Sequence, residues 1–270
     1  SAASDVYKRQ VISVLAYVGL TEPEIKKDLA GAIEKYTLRR TKAEVKLADT
    51  IPERKVKRVI LPFSSKKENQ FYSQVRESEL FTPLEKTLRL RQASIAPQMV
   101  NDGISKKTLR RTKKWKHNNT KLDKVVEKTL KRLEEEPTAR IIIFTSFNYE
   151  IEYLSDKLAA TETAIKFSAL HGGISKEDRA ARIADPDTQV LMVQIVCGGT
   201  GLNLQAYNVI YFTSPPWNPA LEDQAIARCH RIGQDKPVDI YKMYMKSSIE
   251  EHIGAVQEVK RRLIARYITQ

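Results

Sequence analysis

No G-x-x-x-x-G-K-[ST] phosphate loop occurs anywhere in the 270 residues, and no Asp-Glu pair follows an apolar strand where it could hold magnesium. The chain thus lacks the two sequence elements that grip a nucleoside triphosphate in most nucleotide-hydrolysing folds. Cysteine is scarce. Cys197 and Cys229 are the two present, without metal-ligand spacing, which excludes a disulfide framework and a thiolate zinc site and fits a reducing, intracellular compartment. The four histidines, His117, His171, His230 and His252, are scattered, so no metal centre is expected. The apolar run from Val11 to Leu20 is too short to span a membrane. Acidic residues run short at the beginning: residues 1–120 hold 13 Asp and Glu against 26 Lys and Arg, whereas 121–270 hold 20 of each. The first part therefore carries the entire formal net charge of +13.

What is present describes a folded chain. Hydrophobic residues make up 41% and charged residues 29%, enough apolar content for a core and unlike a disordered profile. The length allows one large domain or two modest ones. The densest charge lies in Lys106, Lys107, Arg110, Arg111, Lys113, Lys114 and Lys116, with Trp115 among them. Such a run suits phosphate contact, because each neutralised phosphate releases counterions. The competing reading is a solvated basic linker, given Gly103, Asn118 and Asn119 nearby, with Trp115 as packing rather than a stacking platform.

Periodicity outlines the elements. A helical pattern runs from Thr21 to Leu47, opened by Thr21 with Glu24 three residues on, a capping-box spacing. Arg54 to Leu61 reads as a strand ended by Pro62. Ser64-Ser65 then open a helix to about Glu79, and another covers Pro83 to Ala93. From Lys121 the pattern alternates. A helix carries Leu122, Val125, Val126, Leu130 and Leu133. Strands are expected at Arg140–Thr145, Ala164–Phe167, Val190–Ile195, Val209–Phe212 and Val238–Met243, with helices at Glu150–Ala159, Lys176–Ile183 and Leu221–Cys229 between them. Alternation of apolar strands with helices implies a parallel sheet covered on both faces. A last amphipathic helix, Ile249 to Ile268, aligns Ile249, Ile253, Val256, Val259 and Leu263 on one stripe.

The chemistry-bearing segments fall at strand ends. Cys197-Gly198-Gly199-Thr200-Gly201-Leu202-Asn203-Leu204 places a glycine turn after an apolar run. About twenty residues on, Gln224-Ala225-Ile226-Ala227-Arg228-Cys229-His230-Arg231-Ile232-Gly233-Gln234 carries a glutamine and two arginines three apart. On a helix, that spacing puts both guanidinium groups on one face. Aimed at a transferring phosphate, they would neutralise charge that develops in the transition state. The plainer alternative is a solvated charged face. Loops at Ser146–Asn148, His171–Gly173, Cys197–Gly201 and Ser214–Asn218 should line one edge, since parallel sheets bind ligands at the carboxyl ends of their strands.

With these segments goes a resemblance. Leu38-Arg39-Arg40-Thr41-Lys42, Leu90-Arg91-Gln92 with Pro97, Thr120-Lys121-Leu122, Leu170-His171-Gly172-Gly173, Gly198 to Leu204, Trp217-Asn218-Pro219 and Gln224 to Gln234 occur in order. In sequence and spacing they closely resemble the C-terminal helicase lobe of Swi/Snf-type ATPases of helicase superfamily two, from about Leu38 to about Lys260. The chain departs from that pattern at Ser146, where a Gln is usual, at Gln194 (Ser or Thr), at Val196 (Lys or Arg), and at Ser214 and Pro216 (Asp and Trp).

The resemblance implies an α/β, RecA-like parallel sheet with helices on both faces, preceded by a mainly helical protrusion. Residues 1–10 read as a non-native, adapter-derived tail. The resemblance makes 11–36 a remnant of a first lobe, 37–120 the basic junction and protrusion, 121–246 the helicase lobe, and 247–270 a bracing helix. It assigns Gln224, Arg228 and Arg231 to catalysis and Gly199, Thr200 and Gly201 to the nucleotide. Lys106, Lys107, Arg110, Arg111, Lys113, Lys114, Ser146, His171, Gly172, Gln194, Trp217 and Asn218 are assigned to nucleic acid. The implied activity is ATP-dependent translocation on double-stranded DNA, naked or in nucleosomes, in remodelling or repair, with a nuclear location if the host is eukaryotic. ATP with Mg2+ would be bound mainly by an N-terminal ATPase lobe, the implied partner, and no membrane is involved. The alternative is a non-catalytic nucleic-acid-binding scaffold derived from such a motor. Steady-state phosphate release from the 270-residue chain is expected to stay at background with or without DNA, and a DNA-stimulated rate would refute that expectation.

Overall fold

The computed structural model describes residues 20–28, 31–32, 35, 51–108, 114–117, 119–198 and 202–268. Two compact units divide the chain, Ser1–Thr50 with Gly254–Gln270, and Ile51–Ile253. In the first unit a short helix α1, Glu22–Lys27, starts at Thr21, whose backbone N–H donates to the Glu24 carboxylate at 2.9 Å. That is half of the expected capping box. Most of the helix expected to continue to Leu47 lies outside the described residues.

The second unit is a parallel α/β layer structure with helices on both faces. Six strands, β1 Arg54–Leu61, β2 Ile141–Thr145, β3 Phe167–Leu170, β4 Val190–Gln194, β5 Val209–Phe212 and β6 Val238–Met245, lie in the order β1-β6-β5-β2-β4-β3. Every pairing is parallel. Strand β2 shows why: Ile141 to Thr145 are all buried, and a strand apolar on both sides must be covered on both. Ile141 and Ile143 face one core, with Leu122, Val125, Leu154 and Met192. Ile142 and Phe144 face the other, with Val193, Leu204, Phe212 and Ile226. Phe144 stacks on Phe212 at 5.1 Å between centroids.

Between β1 and β2, among the described residues, come four helices, α2 Lys66–Glu77, α3 Pro83–Ile95, α4 Pro97–Thr108 and α5 Thr120–Glu135. The first two begin at Ser65 and Thr82, whose hydroxyls accept from the backbone N–H of Glu68 and Glu85. Helices α2 to α4 build a small core of their own from Tyr72, Val75, Phe81, Ala93 and Val100. Trp115 belongs to this packing: its ring meets Phe71 edge-on at 5.4 Å and His117 at 5.1 Å. Helix α4 was not legible in the sequence, because Gly103 interrupts it. A Cβ at Gly103 would fall 1.9 Å from Arg89 Nη1, so the bare Cα leaves room for the α3 guanidinium.

The remaining helices, α6 Asn148–Ala159, α7 Lys176–Ala184, the single turn α8 Ile195–Gly198, α9 Pro219–Cys229 and α10 Ile249–Ile268, follow the expected alternation. Strand β1 comes from the stretch assigned to the junction, yet it completes the lobe's own sheet beside β6, with Arg54 opposite Val238 and Leu61 opposite Met245. Strand β3 lies three residues later than periodicity suggested. Its limits come from its partner, whose Val190 to Val193 pair with Phe167 to Leu170.

Candidate functional site

Because all six strands run the same way, the loops after them gather at one edge of the sheet. Ser146, His171, Gln194 and the segment Thr213–Asn218 all lie there, as the strand ends require. The Ser146 and Ser214 hydroxyls are 2.8 Å apart, joining the loops after β2 and β5. The backbone N–H groups of Ser146 and Phe147 both donate at 2.8 Å to Oε1 of the buried Glu150 in the first turn of α6. After β3, the His171 carbonyl accepts from Arg179 Nη2 at 3.3 Å, and its Nδ1 accepts from the Gly173 N–H at 3.3 Å. Gly172 is exposed, and a Cβ there would meet nothing within 4 Å, so bare backbone faces open space. Gln194 and Trp217 are half-buried and Asn218 is exposed. The Asn218 Oδ1 accepts from the Ala220 N–H at 3.0 Å, which commits that side chain to starting α9.

Helix α9 runs back across the sheet, so its last turn reaches the opposite edge. There the Leu204 N–H donates to the Arg228 carbonyl at 3.3 Å, just upstream of β5. Gln224 and Arg228, four apart, share a face of α9; Gln224 is exposed and Arg228 half-exposed. The sequence put both arginines on one helix. The structure corrects this: α9 ends at Cys229, and Arg231 sits in the turn beyond it, exposed to solvent. The helix stops because the chain must bend to start β6 at Val238. Gly233, at φ +92, supplies the left-handed residue that the bend needs. Gln234 is buried and clasps the turn. Its Nε2 donates to the carbonyls of Gln205 at 2.8 Å and of Tyr207 and Cys229 at 3.3 Å, and its N–H donates to the Arg231 carbonyl at 3.0 Å. His230 Nε2 lies 2.7 Å from the Pro52 carbonyl, pinning the same turn to the residues before β1.

The expected site residues thus divide between two edges separated by a strand of five residues, roughly 16 Å. Ile195 after β4, and Leu204 and Tyr207 before β5, are buried in the core on one face of the sheet. Gly199, Thr200 and Gly201 lie outside the described residues, as do Arg110, Arg111 and Lys113. Lys106 and Lys107 occupy the last turn of α4, and Lys114 is exposed. A groove of about 700 Å³ follows α7, with Arg140, Lys176 and Arg179 among its lining residues. Among the described residues, no three His, Cys, Asp or Glu side chains are grouped to hold a metal ion.

Sequence reasoning missed a buried charge cluster beneath the strand-end loops. Lys121 and Glu250, both fully buried, form an ion pair between the start of α5 and the start of α10. Glu250 Oε2 also accepts from the Met245 N–H at 2.9 Å. Arg91 of α3 and Glu150 act electrostatically on the same pair. Burial pushes the Glu150 and Glu250 carboxyls above the ordinary carboxylate range and the Lys121 ammonium below its own, each opposed by the opposite charges nearby. The neighbouring Thr120 donates its N–H to Glu68 of α2 at 3.2 Å, and its hydroxyl accepts from the Ser64 N–H at 2.8 Å. Thr120-Lys121-Leu122 is therefore a structural joint in which each residue meets a different element. A capping pattern, Ser248 with Glu251 three later, was the available signal near Glu250, and it points to the wrong glutamate.

Residues 120–233 match the helicase conserved C-terminal domain family. The chain is 35% identical over 150 residues to an ATP-dependent helicase of Schizosaccharomyces pombe, covering 54% of this chain and 14% of that protein. It is 36% identical over 149 residues to the helicase-like transcription factor CHR28 of Arabidopsis thaliana, covering 52% and 15%. To the DNA repair protein RAD5 of Cryptococcus neoformans it is 30% identical over 151 residues, covering 54% and 12%. The chain therefore spans about one seventh of the length of these relatives. The C-terminal part of the Fun30 ATPase domain shares the fold, with a TM-score of 0.60 at 19% identity over 81% of this chain and 99% of that one.

Lys121→Met should lower the unfolding free energy of the chain in urea by about 3–5 kcal/mol, since it leaves a buried carboxylate alone. Adding Glu250→Leu should recover part of that loss. Two losses that simply add would show that the pair is not coupled.

Proposed function

Because the chain carries the C-terminal, RecA-like helicase lobe of the Swi/Snf type, we propose that it is the second motor lobe of an ATP-dependent translocase on double-stranded DNA, of the chromatin-remodelling or repair kind. The observation that carries the proposal is that Gln224, Arg228 and Arg231 all reach solvent: the first two share a face of α9, and Arg231 stands on the turn after it, fixed by Gly233 and Gln234. Guanidinium groups held this way suit the oxygens of a triphosphate presented by another lobe. The fit is chemical: planar donors that are permanently charged and reach solvent. ATP with Mg2+ would be held mainly by that other lobe, and its phosphoanhydride bond is the one to be cleaved. Arg231, and beside it Arg228, would offset the charge that develops on the transferring phosphoryl group.

In the same reading, DNA lies along the opposite edge and the basic run. His171, the open backbone at Gly172, Gln194 and Trp217 border that edge, and Lys106, Lys107, Arg110, Arg111, Lys113 and Lys114 add positive charge. Segment 195–208, which carries Gly199, Thr200 and Gly201, would couple nucleotide state to DNA grip. A nuclear location, nucleosomal DNA as substrate, and lack of turnover by this lobe alone belong to the proposal. No described helix is long and apolar enough to cross a membrane.

A second reading, a DNA-binding scaffold without turnover, draws on the inward commitment of Ser146 and Asn218, whose polar atoms bond within the protein. One experiment separates the two. In the two-lobe protein, Arg231→Ala should cut DNA-stimulated phosphate release by about 10³-fold or more. A loss below tenfold removes the finger role, and an unmutated two-lobe protein that binds DNA without turnover favours the scaffold. Replacing the six basic residues of the run by glutamine should flatten the dependence of log K on log salt for duplex DNA, by up to about five units if all six meet phosphates. An unchanged slope, read by fluorescence anisotropy, would take the run out of the interface.

A further inference from the structure

We propose that Arg91 is a positioning residue, whose guanidinium sets the spacing of the loops after β2 and β5 and so shapes the DNA-facing edge from the helical unit beneath it. This inference rests on the proposed function only for what the edge binds. The placement itself is geometric. Arg91 projects from α3, whose other contacts are with α2, α4 and α5. Its Nη2 lies 3.3 Å from Ser146 Oγ and 3.3 Å from the Pro215 carbonyl, one acceptor on each loop. Both distances are at the long end for N–H···O bonds, so neither holds the group alone. Both bonds leave from the one nitrogen Nη2, whose two N–H groups have directions fixed by the guanidinium plane, unlike those of a freely rotating lysine ammonium on a flexible stem. Ser146 passes the constraint on, because its hydroxyl is 2.8 Å from Ser214 Oγ. The guanidinium also lies over the Phe147 ring, 5.7 Å from its centroid.

Charge explains why an arginine can sit there. Glu250 and Glu150 oppose the cost of its burial through their charge. Glu150 meanwhile holds the N–H groups of Ser146 and Phe147, so the β2 loop is gripped through its backbone by α6 and through its side chain by α3. The β5 loop has the Pro215 carbonyl and the Ser214 hydroxyl in the same network. Removing Arg91 would therefore release both loops together while leaving α2 and the central strands in place.

Hydrogen exchange followed by mass spectrometry on the 270-residue chain tests this with Arg91→Lys and Arg91→Met. Exchange at Ser146, Phe147, Ser214 and Trp217 should quicken about tenfold or more in both variants, with α2 and β2 unchanged. Arg91→Lys keeps the charge, so it remains informative if Arg91→Met fails to fold. Unchanged exchange at the two loops, or a uniform rise across the sheet, would overturn the inference. Duplex DNA binding gives the second readout. Affinity should fall several-fold in Arg91→Lys with the salt slope unchanged, whereas a slope lower by about one would mean that Arg91 touches phosphate and is no positioning group. If the unmutated chain does not bind DNA, the functional reading fails on its own, and the exchange pattern still decides the role of Arg91.

Discussion

Three fully buried charged side chains, Lys121, Glu150 and Glu250, lie with the half-buried Arg91 beneath the strand-end loops, and their charges must be satisfied by one another and by nearby hydrogen bonds. An ion removed from water is costly unless opposite charges and hydrogen bonds surround it. Here they come from four helices: α3, α5, α6 and the first turn of α10. Each helix is held in register because its charge must reach the others. The apolar cores on the two faces of the sheet supply most of the stabilisation, yet hydrophobic burial is non-directional and tolerates shifts that this cluster does not. Beside it, Thr120 joins Ser64 and Glu68, so the helical segment and the sheet meet at a specific place and angle.

The sheet then separates two kinds of chemistry. Its carboxyl-terminal edge offers loops built from serine, histidine, glycine and tryptophan over the charge cluster. Toward its opposite edge stand Gln224 and Arg228 on α9, followed by Arg231 on a turn held by a buried glutamine. The two edges lie a strand length apart, roughly 16 Å. Ile195 after β4, and Leu204 and Tyr207 before β5, are anchored in the core.

Much of the fold could be read from periodicity. Strands β1 and β5 and helix α10 lie where the apolar pattern put them, because each pattern is long or strongly bounded. The misses have identifiable causes. Helix α4 carries Gly103, a residue that lowers helix propensity and is retained because Arg89 fills the space a side chain would take. Strand β3 shifted because its ends are set by pairing with β4 rather than by its own β-formers. Arg231 left the helix because Gly233 permits a left-handed turn that the motif's spacing did not reveal.

By itself, the sequence determined that apolar strands alternate with helices, and therefore that a parallel sheet is covered on both faces. It also determined which motifs sit at strand ends, since local pattern and chain order are properties of neighbours along the chain. Only the tertiary structure decided that the half-buried Arg91 and the buried Lys121, Glu150 and Glu250, separated by up to 159 positions, lie in one cluster. The same holds for the arginines and the strand-end loops, which lie at opposite edges although they are interleaved in sequence. Electrostatic satisfaction in a low-dielectric interior depends on distance through space, and no local pattern of residues encodes that distance.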